Sequence, residues 1–163
     1  MKVRCAELED LKQIEAIYAK ARAFMAQNGN PTQWGSHYPP KDLVRFEVEQ
    51  KRLYVLEHAG EVHGVFAFYS GPDPDYAVLK EGQWLSQSAY GVIHRVASDG
   101  CIRGVVSTAV QFCWQEIPHL RIDTHRDNAV MQHQILKNGF QFCGVIQRAD
   151  GSERLVYEKM ESE

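Results

Sequence analysis

The chain is short of several things, and each shortage removes a class of protein. Its longest apolar stretches, such as residues 65–69, are only a few residues long. A membrane-spanning helix needs about 20. It has no basic block: 18 Lys and Arg stand against 21 Asp and Glu, for a net charge of −3. Duplex nucleic acid is therefore a poor fit as a main partner. The four cysteines, Cys5, Cys101, Cys113 and Cys143, form no C-x-x-C pair, so reduced thiols are expected rather than a disulfide framework. The seven histidines include no H-E-x-x-H, and no metal site is expected. Twelve Gly and six Pro are near average, which excludes collagen-like and low-complexity chains. The opening MKVRCAELEDLKQ carries acids where a signal peptide needs an apolar centre. These absences together lead to the expectation of a cytoplasmic protein with no membrane and no nucleic-acid partner.

What is present suits one domain. Of 163 residues, 44% are hydrophobic and 24% charged, and a chain of this length can bury roughly 70% of its unfolded surface. A short strand is predicted at 2–5. Leu8, Leu11, Ile14, Ile17, Tyr18, Ala21, Phe24 and Met25 recur in steps of three and four, the period of an amphipathic helix. Asn28-Gly29 stops it. A second, short helix is predicted at 41–50, after Pro39-Pro40. Two β-rich runs, 52–58 and 61–70, are joined by Ala59-Gly60 as a hairpin. Gly71-Pro72-Asp73-Pro74 then breaks the chain, and the stretch to Ser88 reads as irregular. A strand follows at 89–97, a helix at 103–116, a strand at 120–124, a helix at 128–138, and a last hairpin from 142–147 and 154–159. The order β-α-α-β-β-β-α-β-α-β-β predicts a mixed α/β domain with at least one parallel strand pair.

The stretch from Ile93 to Val106 carries the most chemical information. A strand ends there, a loop with Gly100 and Gly104 follows, and a helix begins. Such a loop aims several backbone N–H groups into one space, and the helix start adds about half a positive charge. That arrangement suits pyrophosphate, with Arg103 as a charged contact. A plain strand-to-helix turn that needs glycine for its conformation is the simpler alternative. No G-K-[ST] follows, so this is not a Walker loop. A thiol at a helix start, as at Cys101, can have a lowered pKa, yet nothing here implies a covalent cysteine nucleophile. Further on, Asn128 is a good helix cap, and Gly139-Phe140 closes that helix.

Together the two segments resemble the GCN5-related N-acetyltransferase (GNAT) superfamily. Its strand–loop–helix carries [Q/R]-x-x-G-x-[G/A], and a later segment reads N-x-x-A-x-x-x-Y-x-x-x-G-F. Here Asn128 and Gly139-Phe140 keep the later spacing, and the element order matches over nearly the whole chain. Gln33-Trp34, Tyr38-Pro39, Gly71-Pro72-Asp73-Pro74, Trp84-Leu85 and Tyr90-Gly91-Val92-Ile93-His94-Arg95 look like one bacterial branch. In the loop pattern only Gly104 is kept, because Cys101 stands for Gln/Arg and Val106 for Gly/Ala. The family's frequent acid, a tyrosine, falls at Ile135.

The resemblance implies the acyl-CoA N-acyltransferase fold, a mostly antiparallel sheet with helices on both faces. It also implies acetyl-CoA as co-substrate and direct attack of a small-molecule or peptide amine on the thioester. On this reading Val96, Ala97 and Ser98 offer backbone groups to the pantetheine arm. Cys101, Ile102, Arg103, Gly104, Val105 and Val106 form the pyrophosphate loop. Asn128 reaches the arm, and Lys137 either approaches the outer phosphates or stands idle. The acceptor must lose a proton, since an alkyl ammonium has a pKa of about 10. His94 is the best placed base, unless it is a buried histidine paired with the chain or with Asp123. His125 is a second candidate, and Tyr90 could deliver a proton. Trp34, Tyr38, Tyr76 and Trp84 either wall the acceptor pocket or simply pack. A monomer or homodimer is expected. A non-catalytic acyl-CoA-binding sensor of the same fold is the alternative, and a protein-interaction domain whose aromatic loops form the contact surface is a third reading.

Overall fold

The computed structural model describes residues 1–161. Along the chain lie β1 (Lys2–Cys5), α1 (Leu11–Gln27), α2 (Lys41–Glu49), β2 (Leu53–His58), β3 (Glu61–Ser70), β4 (Glu81–Gly82) and β5 (Gly91–Ser98). Then come α3 (Val105–Glu116), β6 (His119–Thr124), α4 (Ala129–Lys137), β7 (Gln141–Gln147) and β8 (Glu153–Met160), with short 3-10 turns at Leu8–Asp10 and Pro74–Tyr76. The strands form one 8-stranded sheet in the order β1-β2-β3-β5-β6-β8-β7-β4. Every pairing is antiparallel except β5 with β6. That parallel pair is the product of the β5–α3–β6 crossover.

Period-2 alternation assigns each strand residue to a layer. Val55, Val65 and Ala67 face α1 and α2, whose Ile14, Ile17, Tyr18, Val44 and Val48 complete that core. Their neighbours Leu56 and Phe66, with Ile93, face α3 and α4 and pack on Val105, Ala109, Cys113 and Ile135. The segment between β3 and β5 covers the remaining sheet surface, where Tyr76 packs with Val92, Ile146 and Val156. The chain is thus a mixed α/β fold with helices on both faces, as expected. No helix among the described residues is long and apolar enough to cross a membrane.

Differences from the expected elements are local. The first helix starts at Leu11 rather than Leu8, because Asp10 folds back to accept the Glu7 N–H at 2.8 Å and tightens Leu8–Asp10 into a 3-10 turn. The third helix starts at Val105 rather than Arg103, because Gly104 sits at φ +85°, outside helical geometry. The stretch after β3 holds the two-residue β4 on β7.

Candidate active site

The site begins where two strands separate. β5 and β6 pair at Gly91–Leu120, Val92–Arg121 and Ile93–Ile122, and no further. From His94 to Ser98 the β6-facing edge of β5 has no strand partner. The parting therefore starts two residues before Val96, the first residue expected to offer its backbone to the arm. On its other edge β5 carries a bulge: Ala67 pairs with His94 but Val65 pairs with Ala97. One extra residue is accommodated, and Arg95 takes φ +53°. The bulge keeps a charged side chain out of the aliphatic layer that Ile93 and Val96 enter. Three neighbours hold it. The Arg95 guanidinium pairs with Glu47 on α2 and donates to Tyr38 Oη at 3.3 Å, and Tyr18 Oη on α1 donates to the Arg95 carbonyl at 3.0 Å.

At the open end of β5 lies a cleft of about 320 Å³ between α1, the 99–104 loop, α3 and α4. Two loop amides are already engaged. Gly100 N–H donates to Ser98 Oγ at 3.0 Å, and Cys101 N–H donates to Asp99 Oδ1 at 2.9 Å. The amides of Ile102, Arg103, Gly104, Val105, Val106 and Ser107 have no partner among the described residues. The last three are the unpaired N–H groups of a helix start. A Cβ on Gly104 would meet only Met1 Cε, at 3.8 Å, so the space above these amides is open. Val96, Ala97, Ser98, Ile102, Gly104, Val105, Val106 and Asn128 line the cleft, with Phe24 and Val130 as apolar wall. Cys101, Arg103 and Lys137 are exposed and do not line it. Asn128 has both ends engaged: Oδ1 caps α4 through Met131 N–H at 3.0 Å, and Nδ2 donates to Gln33 Oε1 at 2.9 Å. Ile135 is fully buried in the core.

A second cavity, of about 180 Å³, adjoins the first. The two share Met25, Val96, Asn128 and Met131. His94 stands in the second, between two carboxylates. Its Nε2 lies 3.0 Å from Asp73 Oδ2, and its Nδ1 lies 3.6 Å from Asp123 Oδ2. Each carboxylate is itself held: Tyr69 Oη donates to Asp73 Oδ2 at 3.0 Å, and Tyr76 Oη donates to Asp123 Oδ2 at 2.6 Å. The Asp75 N–H donates to Asp73 Oδ1 at 2.9 Å. Burial works against charge on His94, but Asp73 and Asp123 outweigh it, and the net effect holds the imidazole above its ordinary 6.5. Burial likewise works against the Asp73 carboxylate, yet the His94 contact and the Asp75 N–H bring it below the usual range. Both shifts favour an ion pair. The 3.6 Å separation at Nδ1 is too long for a good hydrogen bond.

The other expected residues are dispersed. Trp34 and Tyr38 line the second cavity. Tyr76 is 1% exposed and sits behind it, pinning Asp123. Trp84 donates to the Tyr76 carbonyl at 2.9 Å, and Trp84 and Tyr90 hold the Arg121 guanidinium, each with its ring centroid 3.9 Å away. Tyr90 lines neither cavity, and its Oη accepts from Asp73 N–H at 2.9 Å. His125 also lies outside both cavities. Its Nδ1 accepts from Asp127 N–H at 2.9 Å, and burial with Arg154 nearby keeps its pKa below the ordinary value. No site role was read from the sequence for Asp73, which stood only within a chain break and the branch resemblance, for Asp75 in the irregular stretch, or for Arg148 and Arg154 of the last hairpin. All four line the His94 cavity.

Comparison with protein-family models gives no match, and neither does comparison with curated proteins. Solved structures do match. A GNAT-family acetyltransferase from Streptococcus agalactiae is 28% identical and superposes with a TM-score of 0.89, covering 99% of this chain and 96% of that one. A GNAT-family acetyltransferase from Listeria monocytogenes shares the fold at 20% identity and TM-score 0.69, over 97% and 93% of the two chains. So does yncA from Salmonella typhimurium, solved with its cofactor acetyl-CoA, at 15% identity and TM-score 0.63, over 99% and 95%. With the parted parallel strands, the bulge on β5 and a likeness that runs nearly end to end, the chain belongs to the GCN5-related N-acetyltransferase superfamily.

Proposed function

We propose that the protein transfers an acetyl group from acetyl-CoA to a primary amine by direct attack. One observation carries this reading: an unpaired strand edge joins a cleft with six unpartnered loop and helix amides to a cavity of titratable groups. The first cleft fits the donor. Its free amides from Ile102 to Ser107 can receive a diphosphate without any lysine. The open position above Gly104 leaves room for it, and Phe24, Val105, Val106 and Val130 offer apolar surface to the arm and base. When bound, acetyl-CoA supplies an activated acyl carbon. Unpaired β5 amides beyond Ile93 can then hold the arm as an added strand and polarise the carbonyl.

The acceptor enters the second cavity as an ammonium, drawn by Asp73, Asp75 and Asp123. It must lose a proton before it attacks. We assign that proton to His94. In the neutral ring Nε2–H donates to Asp73, which leaves the Nδ1 lone pair, at its longer distance from Asp123, free to accept. Asp73 fixes the tautomer, and Asp123 steadies the imidazolium that forms. A leaving thiolate with a pKa near 8.5 does not require an acid, so the core position of Ile135 is compatible with turnover.

Two measurements test the reading. Acetyl-CoA should raise the unfolding midpoint, and free thiol should appear when an amine panel is added. No protection by acetyl-CoA would overturn it. Protection without thiol release from any amine would mark a binding protein instead.

A further inference from the structure

The cavity that holds His94 also holds two arginines with no carboxylate to meet. Among the described residues Arg4, Arg45, Arg95 and Arg121 each pair with an acid. The other six do not, and of those six Arg154 and Arg148 are the two that line this cavity. Arg154 is only 5% exposed. Its Nη1 donates to the Glu153 carbonyl at 2.9 Å and its Nη2 to the Gln33 carbonyl at 3.3 Å. That occupies two of the five N–H donors of a guanidinium, which cannot shed its proton. Two carbonyl dipoles are poor compensation for a charge withdrawn from water. Arg148, half-buried just beyond β7, has no side-chain partner among the described residues. Both side chains line the cavity. Arg154 is also close enough to feel the Asp123 charge, so the cationic and anionic parts of the wall lie near one another.

A carboxyl-free amine would satisfy the acids and leave Arg154 buried without an anion. An amine that also carries a carboxylate would satisfy both. We propose that the acceptor is a small amino acid, its amine placed at His94, Asp73 and Asp123 and its carboxylate received by Arg154 and Arg148. This rests on the acetyl-transfer reading above and narrows it to a substrate class. A guanidinium fork matches a carboxylate in two parallel hydrogen bonds. Trp34, Tyr38 and Ile146 are left to face the side chain.

The test compares L-amino acids with their carboxamides and with the matching amines that lack the carboxyl carbon, by acetyl-CoA-dependent thiol release. The carboxylates should be favoured by at least about 100-fold in kcat/KM, because an unsatisfied buried donor penalises the other two. Arg154→Gln should raise KM for the amino acid about 10- to 100-fold, leave KM for acetyl-CoA unchanged, and shrink the preference over the carboxamide. Arg154→Lys, which keeps the charge, should recover part of it. Should Arg154→Gln fail to fold, Arg148→Gln must reduce the same preference. Carboxamides taken as readily as carboxylates, or a preference untouched in the folded variants, would overturn the proposal. So would a KM change confined to acetyl-CoA. If the protein transfers no acetyl group, calorimetry with N-acetyl amino acids against their N-methylamides still decides it: binding confined to the free carboxylates supports it, and equal or absent binding sinks it.

Discussion

At the scale of single residues, the pair His94–Asp73 sets both a rate and a stability. With the imidazole held above its ordinary 6.5, the acid limb of kcat/KM should lie at higher pH than for a free histidine. Asp73→Asn removes the strongest influence raising that pKa, so the limb should move to lower pH. His94→Ala should abolish the limb and leave a residual rate that recovers in part at high pH. A pH profile identical in all three proteins would remove His94 as the base. The signs for stability are opposite for the two partners. A raised histidine pKa stabilises fully below 6.5, and the gain fades as pH climbs through the folded value. A depressed aspartate pKa stabilises above its ordinary 3.8, and the gain fades as pH falls through the folded value. Denaturant titrations should therefore show the Asp73→Asn penalty largest between those limits and gone in acid. These residues were unevenly legible. His94 stands on a predicted strand, so its place could be read. Asp73 lies between two prolines, where the sequence signals only a break. Its role appears once the segment folds back over β5.

Element by element, the clearest dependence is that of the β5 bulge on α1, α2 and the loop between them. Arg95 keeps φ +53° because Glu47, Tyr38 and Tyr18 hold both its ends. Glu47 is 2% exposed, so Glu47→Ala would leave a guanidinium short of its counter-charge in a largely closed site. A loss of about 3 kcal/mol is expected in urea unfolding, together with lower activity as the bulge relaxes; a loss below about 1 kcal/mol would show that the pair is dispensable. On the other side of β5, Gly104→Glu should erase protection by acetyl-CoA. The new carboxylate would face the free amides, and φ +85° suits glycine alone. Retained protection would move the diphosphate elsewhere. The sequence was a good guide at this scale wherever a period ran for several residues. The three-four spacing in α1 is such a run, whereas β2 and β3 were legible from their β-rich composition and the Ala59-Gly60 turn between them. It missed β4, whose two residues, Glu81 and Gly82, are both exposed and carry no period. It left Tyr76 and Trp84 open between a pocket wall and plain packing. Both brace the Asp123 and Arg121 side chains from behind, a distinction that composition cannot make.

For the molecule as a whole, ligand binding should be visible as stability. At a concentration of 100 Kd, acetyl-CoA adds about 2.7 kcal/mol to a protein whose native state alone binds it. In a 163-residue chain that corresponds to a rise of about 5–11 °C in Tm. The element order, and with it the fold, could be read from the sequence because each layer imposes its own period. The two arginines of the last hairpin could not, because only topology carries β8 from the far end of the chain to a place beside β6. The junction formed by Met25, Val96, Asn128 and Met131 has a kinetic corollary. Two cavities that share one wall give donor and recipient a separate place each, so both can be held at once. Double-reciprocal plots should intersect. A parallel set would mean that one guest must vacate before the other is admitted, a traffic rule this architecture gives no reason to impose.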